Sequence, residues 1–100
     1  MNPPLSTLHT VNKSAFGSDA LAACLRVARS GDAIVLLEDG VYNALDTAAL
    51  VGAGLRIYAL REDLQARGIP AEQLPAHVET VAYKDFVALV CTHARTVSWF

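Results

Sequence analysis

The chain has few of the residues that build specialised small proteins. It has two cysteines in 100 residues, which is too few for a disulfide scaffold. Its four prolines and six glycines form no linker or low-complexity tract. Only 18% of the residues are charged and the formal net charge is −2. The chain therefore lacks the basic face that direct binding to nucleic acid requires, and so low a charge suggests that a partner covers part of the surface.

Long hydrophobic segments are also missing. No apolar run approaches the roughly 20 residues needed to cross a bilayer, and residues 1–4 lack the basic and apolar regions of a signal peptide. We therefore expect a soluble, cytoplasmic protein with no membrane partner, in which both cysteines are reduced thiols. The hydrophobic share of 53% argues against disorder, and 100 residues suffice for one domain with one core.

The most informative stretch is GDAIVLLEDGVY, residues 31–42. The apolar run 33–37 predicts a strand that is covered on both faces of a parallel sheet. Glu38, Asp39 and Gly40 follow at its carboxyl end, where ligands collect in open α/β sheets. This edge of the sheet is the expected functional rim.

The rest of the chain alternates between strand and helix patterns. Strands are predicted at 5–11, 33–37, 55–60, 78–81 and 96–100, and helices at 19–29, 41–51, 62–67 and 83–93. This alternation predicts an α/β fold: one small domain over residues 1–100, with a mostly parallel, flavodoxin-like sheet of about five strands and helices on both faces. We expect the strand order 2-1-3-4-5 and a loose N-terminal extension over residues 1–7.

Cys24 lies in the first predicted helix, at the edge of the apolar stripe that Leu21 and Leu25 begin. A free cysteine in such a place is often only a small hydrophobic residue. A reactive thiol would need a lowered pKa, which Lys13, Arg26 or the N-terminal end of the helix could supply. Spacing leaves both interpretations open.

Cys91 lies on the opposite side of the last predicted helix from Phe86 and Leu89. This position predicts that it is exposed or covered by another subunit. No histidine or carboxylate is placed to activate it, so a structural or incidental role is favoured. Nothing in the spacing supports a disulfide between Cys24 and Cys91.

The remaining polar candidates carry weak signals. His9, His77 and His93 show no metal-ligand spacing, and a lone histidine in a strand, like His9, is usually a hydrogen-bonded structural residue. Glu38 and Asp39 could act as an acid/base pair, but such pairs more often hold a turn or cap a helix. The chain has neither G-x-G-x-x-G nor G-x-x-x-x-G-K-[ST]. We therefore expect no metal, nucleotide or flavin cofactor.

The motifs together resemble a known family. LHTVNKSAF, DALAACL, LLEDGVY, YALREDLQARGI and YKDFVAL…VSW occur in the order and with the spacing of the DsrH/TusB family, over residues 8–99. HTVNKS and the thiol of the first helix are closer to the Dsr branch.

The resemblance implies a subunit of a sulfurtransferase complex that relays persulfide sulfur. Such proteins assemble with DsrE/TusD-like and DsrF/TusC-like subunits as a heterohexamer with two copies of each. The complex passes sulfur from a TusA-like carrier to a DsrC/TusE-like carrier. In the Dsr branch the sulfur serves oxidative sulfur metabolism, and in the Tus branch it ends in the 2-thiouridine of tRNA.

The resemblance also places the main catalytic cysteine on the DsrE/TusD-like subunit. Cys24 falls where DsrH proteins carry their cysteine, so it is the candidate sulfur acceptor of this chain, whereas Cys91 lies outside the pattern. Persulfide transfer needs a thiolate and no cofactor. Two alternatives remain: a non-catalytic structural subunit of the complex, and a stand-alone flavodoxin-like domain that binds a small ligand.

Overall fold

Five parallel strands form one sheet in a computed structural model that describes residues 6–45 and 54–100. The strands are β1 (Thr7–Val11), β2 (Ala33–Leu36), β3 (Arg56–Leu60), β4 (Val78–Val81) and β5 (Arg95–Trp99). Every pair of neighbouring strands is parallel. The predicted α/β class with a five-stranded parallel sheet is confirmed.

The strand order differs from the prediction. The order is β4-β3-β2-β1-β5, so the expected order 2-1-3-4-5 is wrong. The chain moves in one direction across the sheet from β1 to β4 and then returns to place β5 beside β1. The pattern of strands and helices contains no signal for the direction of each step, because that direction depends on contacts between distant segments.

The direction of each step determines which face each helix covers. The helices are α1 (Ala20–Val27), α2 (Arg61–Ala66) and α3 (Tyr83–Thr92), with 3-10 helices at Glu38–Leu45 and Ala71–Gln73. Right-handed crossovers in one direction place α1 and α2 on one face, and the reversed step from β4 to β5 places α3 on the other. Helices therefore cover both faces, as predicted.

The segment after β2 forms a 3-10 helix where an α-helix was predicted. It begins at Glu38, three residues before the predicted helix 41–51, and runs to Leu45; the rest of that predicted helix lies outside the described residues. Gly40 explains the tight start. A Cβ atom at Gly40 would overlap the carbonyl oxygen of Val11, so only glycine lets this turn lie against the end of β1.

Residues 6 and 7, which were predicted to belong to a loose N-terminal extension, are ordered and buried. Ser6 and Thr7 are buried, and Thr7 is the first residue of β1. The carbonyl oxygen of Ser6 accepts a hydrogen bond from the N–H of Ala94 at 3.0 Å. Residues 6 and 7 therefore belong to the sheet, and the rest of the proposed extension, residues 1–5, lies outside the described residues.

The sheet has a core on each face, and the two cores differ in cover. On the α1 side a large cluster includes Ile34, Leu36 and Ile57, with Cys24 among its fully buried members. On the α3 side the helix contributes only Phe86 and Leu89, both partly buried, and α3 has no fully buried residue. On this face of the sheet, α3 contacts the core through these two side chains.

One flank of α3, beside the line of Phe86 and Leu89 that faces the sheet, is apolar and exposed. Tyr83, Val87 and Val90 have 61%, 46% and 38% of their surface exposed. Their spacing of four and three residues puts them on one stripe of the helix. Within the described residues, no helix has the length and apolar character to cross a membrane.

Candidate functional site

Cys24 is completely buried beneath α1. Cys24 and Ala20 are the two buried residues of the helix, while Leu21 and Leu25 are only partly buried. The prediction that Cys24 lies at the edge of the apolar stripe is therefore wrong, because it lies on the line that touches the sheet. Small side chains at both positions let the helix approach the strands closely.

The environment of Cys24 opposes ionisation. Burial and, to a lesser extent, the negative charge of Asp32 raise the pKa of the Cys24 thiol to about 12. The lowered pKa that a reactive thiol would draw from Lys13, Arg26 or the start of the helix is therefore not found. At neutral pH the group is a thiol, which is a poor nucleophile.

Cys91 has the opposite setting. It is exposed on α3, and both cysteines are free. Because α1 and α3 cover opposite faces of the sheet, the sheet separates Cys24 from Cys91 within one chain. Cys91 was predicted to be exposed or covered by another subunit, and within the single chain its side chain is exposed.

At the carboxyl rim, the turn after β2 is held by the backbone N–H of Glu38 and by the side chain of Asp39. The N–H of Glu38 donates to Oδ2 of Asp63 at 2.7 Å, and Arg67 Nε donates to Oδ1 of Asp39 at 2.9 Å. Glu38 itself has a φ of 49°, the left-handed conformation that turns the chain out of β2. The contact of Asp39 is of the structural kind, whereas the contact of Glu38 is made by its backbone.

The loop of residues 12–19 at the same rim is held by Asn43. The N–H of Ala15 donates to Asn43 Oδ1 at 2.9 Å, and Asn43 Nδ2 donates to the carbonyl oxygen of Lys13 at 3.0 Å. Phe16 is fully exposed on this loop. Asn43 was not among the predicted site residues. Its mark in the sequence is that it is a single amide within the apolar stretch VYNAL.

A second polar cluster lies at β1. Of its members His9, Asp32 and Trp99, only His9 was a candidate in the sequence. Nε2 of His9 lies 3.0 Å from Oδ2 of Asp32, and Trp99 Nε1–H donates to Nδ1 of His9 at 3.0 Å. An indole N–H can only donate, so Nδ1 of His9 is an acceptor and Nε2 carries the proton. His9 is thus a hydrogen-bonded structural residue, as predicted.

Asp32 joins three segments of the chain. Its carboxylate accepts the N–H of Thr7 at 2.9 Å, the N–H of Arg29 at 3.0 Å and the Nε2–H of His9. Burial acts to raise the pKa of Asp32, but these three hydrogen bonds outweigh it and hold the pKa below its usual value. The missed signal was a charged residue directly before a buried apolar strand.

The two remaining histidines, His93 and His77, lie in different environments. His93 is buried, and its Nδ1–H donates to the carbonyl oxygen of Leu89 at 2.7 Å, whereas His77 is exposed. In residues 6–45 and 54–100, no group of three or more histidine, cysteine or acidic side chains could hold a metal ion.

Taken together, the described side chains present surfaces for binding. The buried thiol of Cys24 is protonated at neutral pH. Among the described residues, no hydrogen bond joins the exposed thiol of Cys91 to a base. Exposed large apolar side chains lie along α3, on the rim loop, on the 3-10 helix after β2 and at two further positions: Tyr83, Val87, Val90, Phe16, Tyr42, Leu45, Val27 and Phe100. This arrangement is typical of a subunit that acts within an assembly.

A protein-family model described as "DsrH like protein" matches residues 13–96. The chain belongs to the DsrH family.

Relatives of this DsrH-family chain match it over nearly its whole length. It is 41% identical to Protein TusB of Erwinia tasmaniensis and 38% identical to Protein TusB of Cronobacter sakazakii and of Escherichia coli. Each comparison spans 96 residues, which is 92% of this chain and 99% of the relative.

Solved structures share the fold of this DsrH-family chain. The ychN protein from E. coli superposes with a TM-score of 0.79 at 16% identity, covering 94% of this chain and 98% of that one. Protein Tm0979 from Thermotoga maritima superposes with a TM-score of 0.66 at 26% identity, covering 83% and 90%. The five-stranded architecture is therefore that of known proteins.

Proposed function

We propose that this chain is a subunit of a sulfur-relay complex and that its role there is structural. The observation that carries the proposal is membership of the DsrH family over residues 13–96. The coverage of 99% of each TusB relative supports it.

The proposed partners are DsrE/TusD-like and DsrF/TusC-like subunits in a heterohexamer, which passes sulfur from a TusA-like carrier to a DsrC/TusE-like carrier. The exposed stripe of Tyr83, Val87 and Val90 supports an obligate assembly. An apolar helix face of this kind is costly in water and is buried in permanent complexes.

The proposed structural role follows from the state of Cys24. Persulfide transfer is the attack of a thiolate on a sulfane sulfur, and the attacking sulfur must be accessible. Cys24 is fully buried and its pKa is raised to about 12. These facts support a main catalytic cysteine on a partner subunit, while a role of Cys24 as sulfur acceptor stays a prediction.

We further propose that the sulfur ends in the 2-thiouridine of tRNA, in the cytoplasm. The relatives at 41% and 38% identity are named Protein TusB, which favours this branch over the oxidative branch that the motif HTVNKS favoured. Deleting the gene should lower the 2-thiouridine content of cellular tRNA, measured by nucleoside mass spectrometry. An unchanged content would assign the chain to the oxidative branch.

Mass spectrometry of the intact coexpressed complex tests the structural role. After incubation with a persulfidated donor protein, we expect the mass of one added sulfur atom on a partner subunit and none on this chain. A gain on this chain that Cys24→Ser abolishes and Cys91→Ser preserves would establish Cys24 as a relay thiol and contradict the structural role.

Assembly tests the subunit proposal itself. Expressed alone, the chain should self-associate, and coexpression with its two partners should give a defined complex. Val87→Ser combined with Val90→Ser should weaken that complex, whereas Lys84→Ala on the same helix should not. A well-behaved monomer in light scattering, with no complex on coexpression, would contradict the proposal.

A further inference from the structure

A polar cleft lies at the amino end of the sheet, opposite the rim that sequence analysis singled out. It has a volume of about 300 Å³ and lies beside the first residues of β1 and β5, close to the end of α1. Its lining includes Thr7, His9, Arg29, Asp32, Arg95 and Val97. The cleft therefore combines two guanidinium groups with a buried histidine, a buried carboxylate and an apolar wall.

The two arginine side chains are the positively charged donors among the residues that line the cleft. Among the described residues, no carboxylate lies within 4 Å of Arg29 or Arg95 as an ion pair. Asp32 is already engaged by the N–H groups of Thr7 and Arg29 and by His9. Three of the roughly four lone-pair positions of its carboxylate are therefore in use, and no described hydrogen bond joins it to an arginine side chain.

The charge of the cleft is that of a site for a monoanion. Among the charged side chains that line the cleft, Arg29 and Arg95 contribute two positive charges and Asp32 contributes one negative charge. The sum is one positive charge. A dianion such as phosphate would meet repulsion from Asp32 and from the carbonyl end of α1.

We propose that this cleft binds a carboxylate group. The planar guanidinium fork matches the two oxygens of a carboxylate in charge and geometry, and Val97 offers an apolar contact to the carbon attached to the carboxylate. The carboxylate comes from a free small acid or from a side chain or C-terminus of a partner protein. This proposal stands independently of the sulfur-relay function.

The chain's single tryptophan gives a direct readout, because Trp99 is bonded to His9 at the cleft. The fluorescence of Trp99 in the full chain is titrated with sodium acetate against sodium chloride at equal ionic strength. We expect a saturable change with acetate alone. Arg29→Gln or Arg95→Gln should weaken it about tenfold, as expected for loss of one charged hydrogen bond, and Arg26→Gln, on α1, should not.

Three results would overturn the proposal: an equal response to chloride, an unchanged response in the Arg29→Gln/Arg95→Gln double variant, or tighter binding of phosphate than of acetate. Both arginines are exposed and glutamine keeps the backbone N–H of Arg29, so the fold should persist, which circular dichroism checks. Arg29→Lys and Arg95→Lys keep the charge and should retain weakened binding even if a glutamine variant unfolds.

The same titration on the coexpressed complex separates the two sources. If the complex still responds to acetate, the natural ligand is a free small acid. If it does not respond, and the double glutamine variant also weakens assembly, the carboxylate belongs to a partner. Because acetate binding is read on the chain alone, its failure would leave the proposed sulfur-relay function unaffected.

Discussion

The indole N–H of Trp99 donates a hydrogen bond to Nδ1 of His9 across 90 residues of sequence, at 3.0 Å. The bond ties the edge strand β5 to the strand β1 beside it and fixes which nitrogen of His9 carries the proton. That proton then bonds Asp32, so the three side chains form one chain of hydrogen bonds.

Replacing Trp99 with Phe should destabilise the fold by about 1–3 kcal/mol. The change leaves Nδ1 of the buried His9 without its donor, and an unsatisfied buried acceptor costs its desolvation energy. Urea unfolding measures the loss. Phe100→Leu is the matched control, since Phe100 is the next residue and is 82% exposed. Equal effects of the two changes would show that the hydrogen bond contributes nothing.

Asp32→Asn should cost about 3 kcal/mol, because an amide replaces a carboxylate that accepts three hydrogen bonds. The folded pKa of Asp32 lies below the unfolded value, so its contribution is present above about pH 4 and is lost as pH falls through the folded pKa. Unfolding free energies over acidic pH should fall more steeply in the wild type than in the variant.

Asp39→Asn is the control for that acid dependence. Asp39 is exposed and its partner is Arg67, so its loss should cost less than about 1 kcal/mol. If both variants lost the same stability, the buried network around Asp32 would have no special weight.

The two thiols should react very differently with a disulfide reagent such as DTNB. Cys91 is exposed and should react at once, whereas Cys24 is buried and, with its pKa raised from 9.0 to about 12, ionises on the order of a thousandfold less than an ordinary cysteine. Absorbance should show one fast thiol per chain, which Cys91→Ser removes and Cys24→Ser does not. Two fast thiols would mean that α1 does not seal Cys24.

Alkaline pH should destabilise the protein through Cys24. The folded pKa is raised, so the unfolded chain ionises first, and stability should fall by up to about 1.4 kcal/mol per pH unit between about pH 9 and pH 12. The slope should be smaller in Cys24→Ala, while Cys91→Ala should keep that of the wild type. Identical slopes in all three proteins would contradict the raised pKa.

Gly40→Ala should destabilise the protein by about 3 kcal/mol or more, because the added Cβ overlaps the carbonyl oxygen of Val11 and backbone must move. Gly17→Ala is the control, since a Cβ at Gly17 meets no atom within 4 Å. Thermal unfolding compares the two. A small effect at Gly40 would mean that the 3-10 helix can shift away from β1.

The sequence predicted elements best where one local signal defined them. The strand 78–81 was predicted at its exact bounds, and the buried strand after Gly31 was predicted to within one residue of its end. Hydrophobic runs and turn residues specify such elements through neighbouring residues alone. Their order in the sheet is set by long-range packing, and that prediction was wrong.

The candidate site shows the same division at the level of single residues. Helical spacing predicted that Cys24 lies at the edge of the apolar stripe of α1. A modest rotation of the helix about its axis decides whether a residue lies at the edge or at the centre of the face that contacts the sheet. Asp32 and Asn43 were not predicted because the sequence marks them only as polar residues beside apolar stretches, while most of their partners lie more than 20 residues away.

The sequence by itself determined the α/β class, the positions of most strands and, through its ordered motifs, membership of the DsrH family, because these depend on local patterns along the chain. The tertiary structure alone decided that Cys24 is buried and protonated and that His9, Asp32 and Trp99 form one hydrogen-bond network. It also decided that two arginines line the same cleft. These properties arise from side chains that only folding brings within contact distance, so no stretch of the sequence contains them.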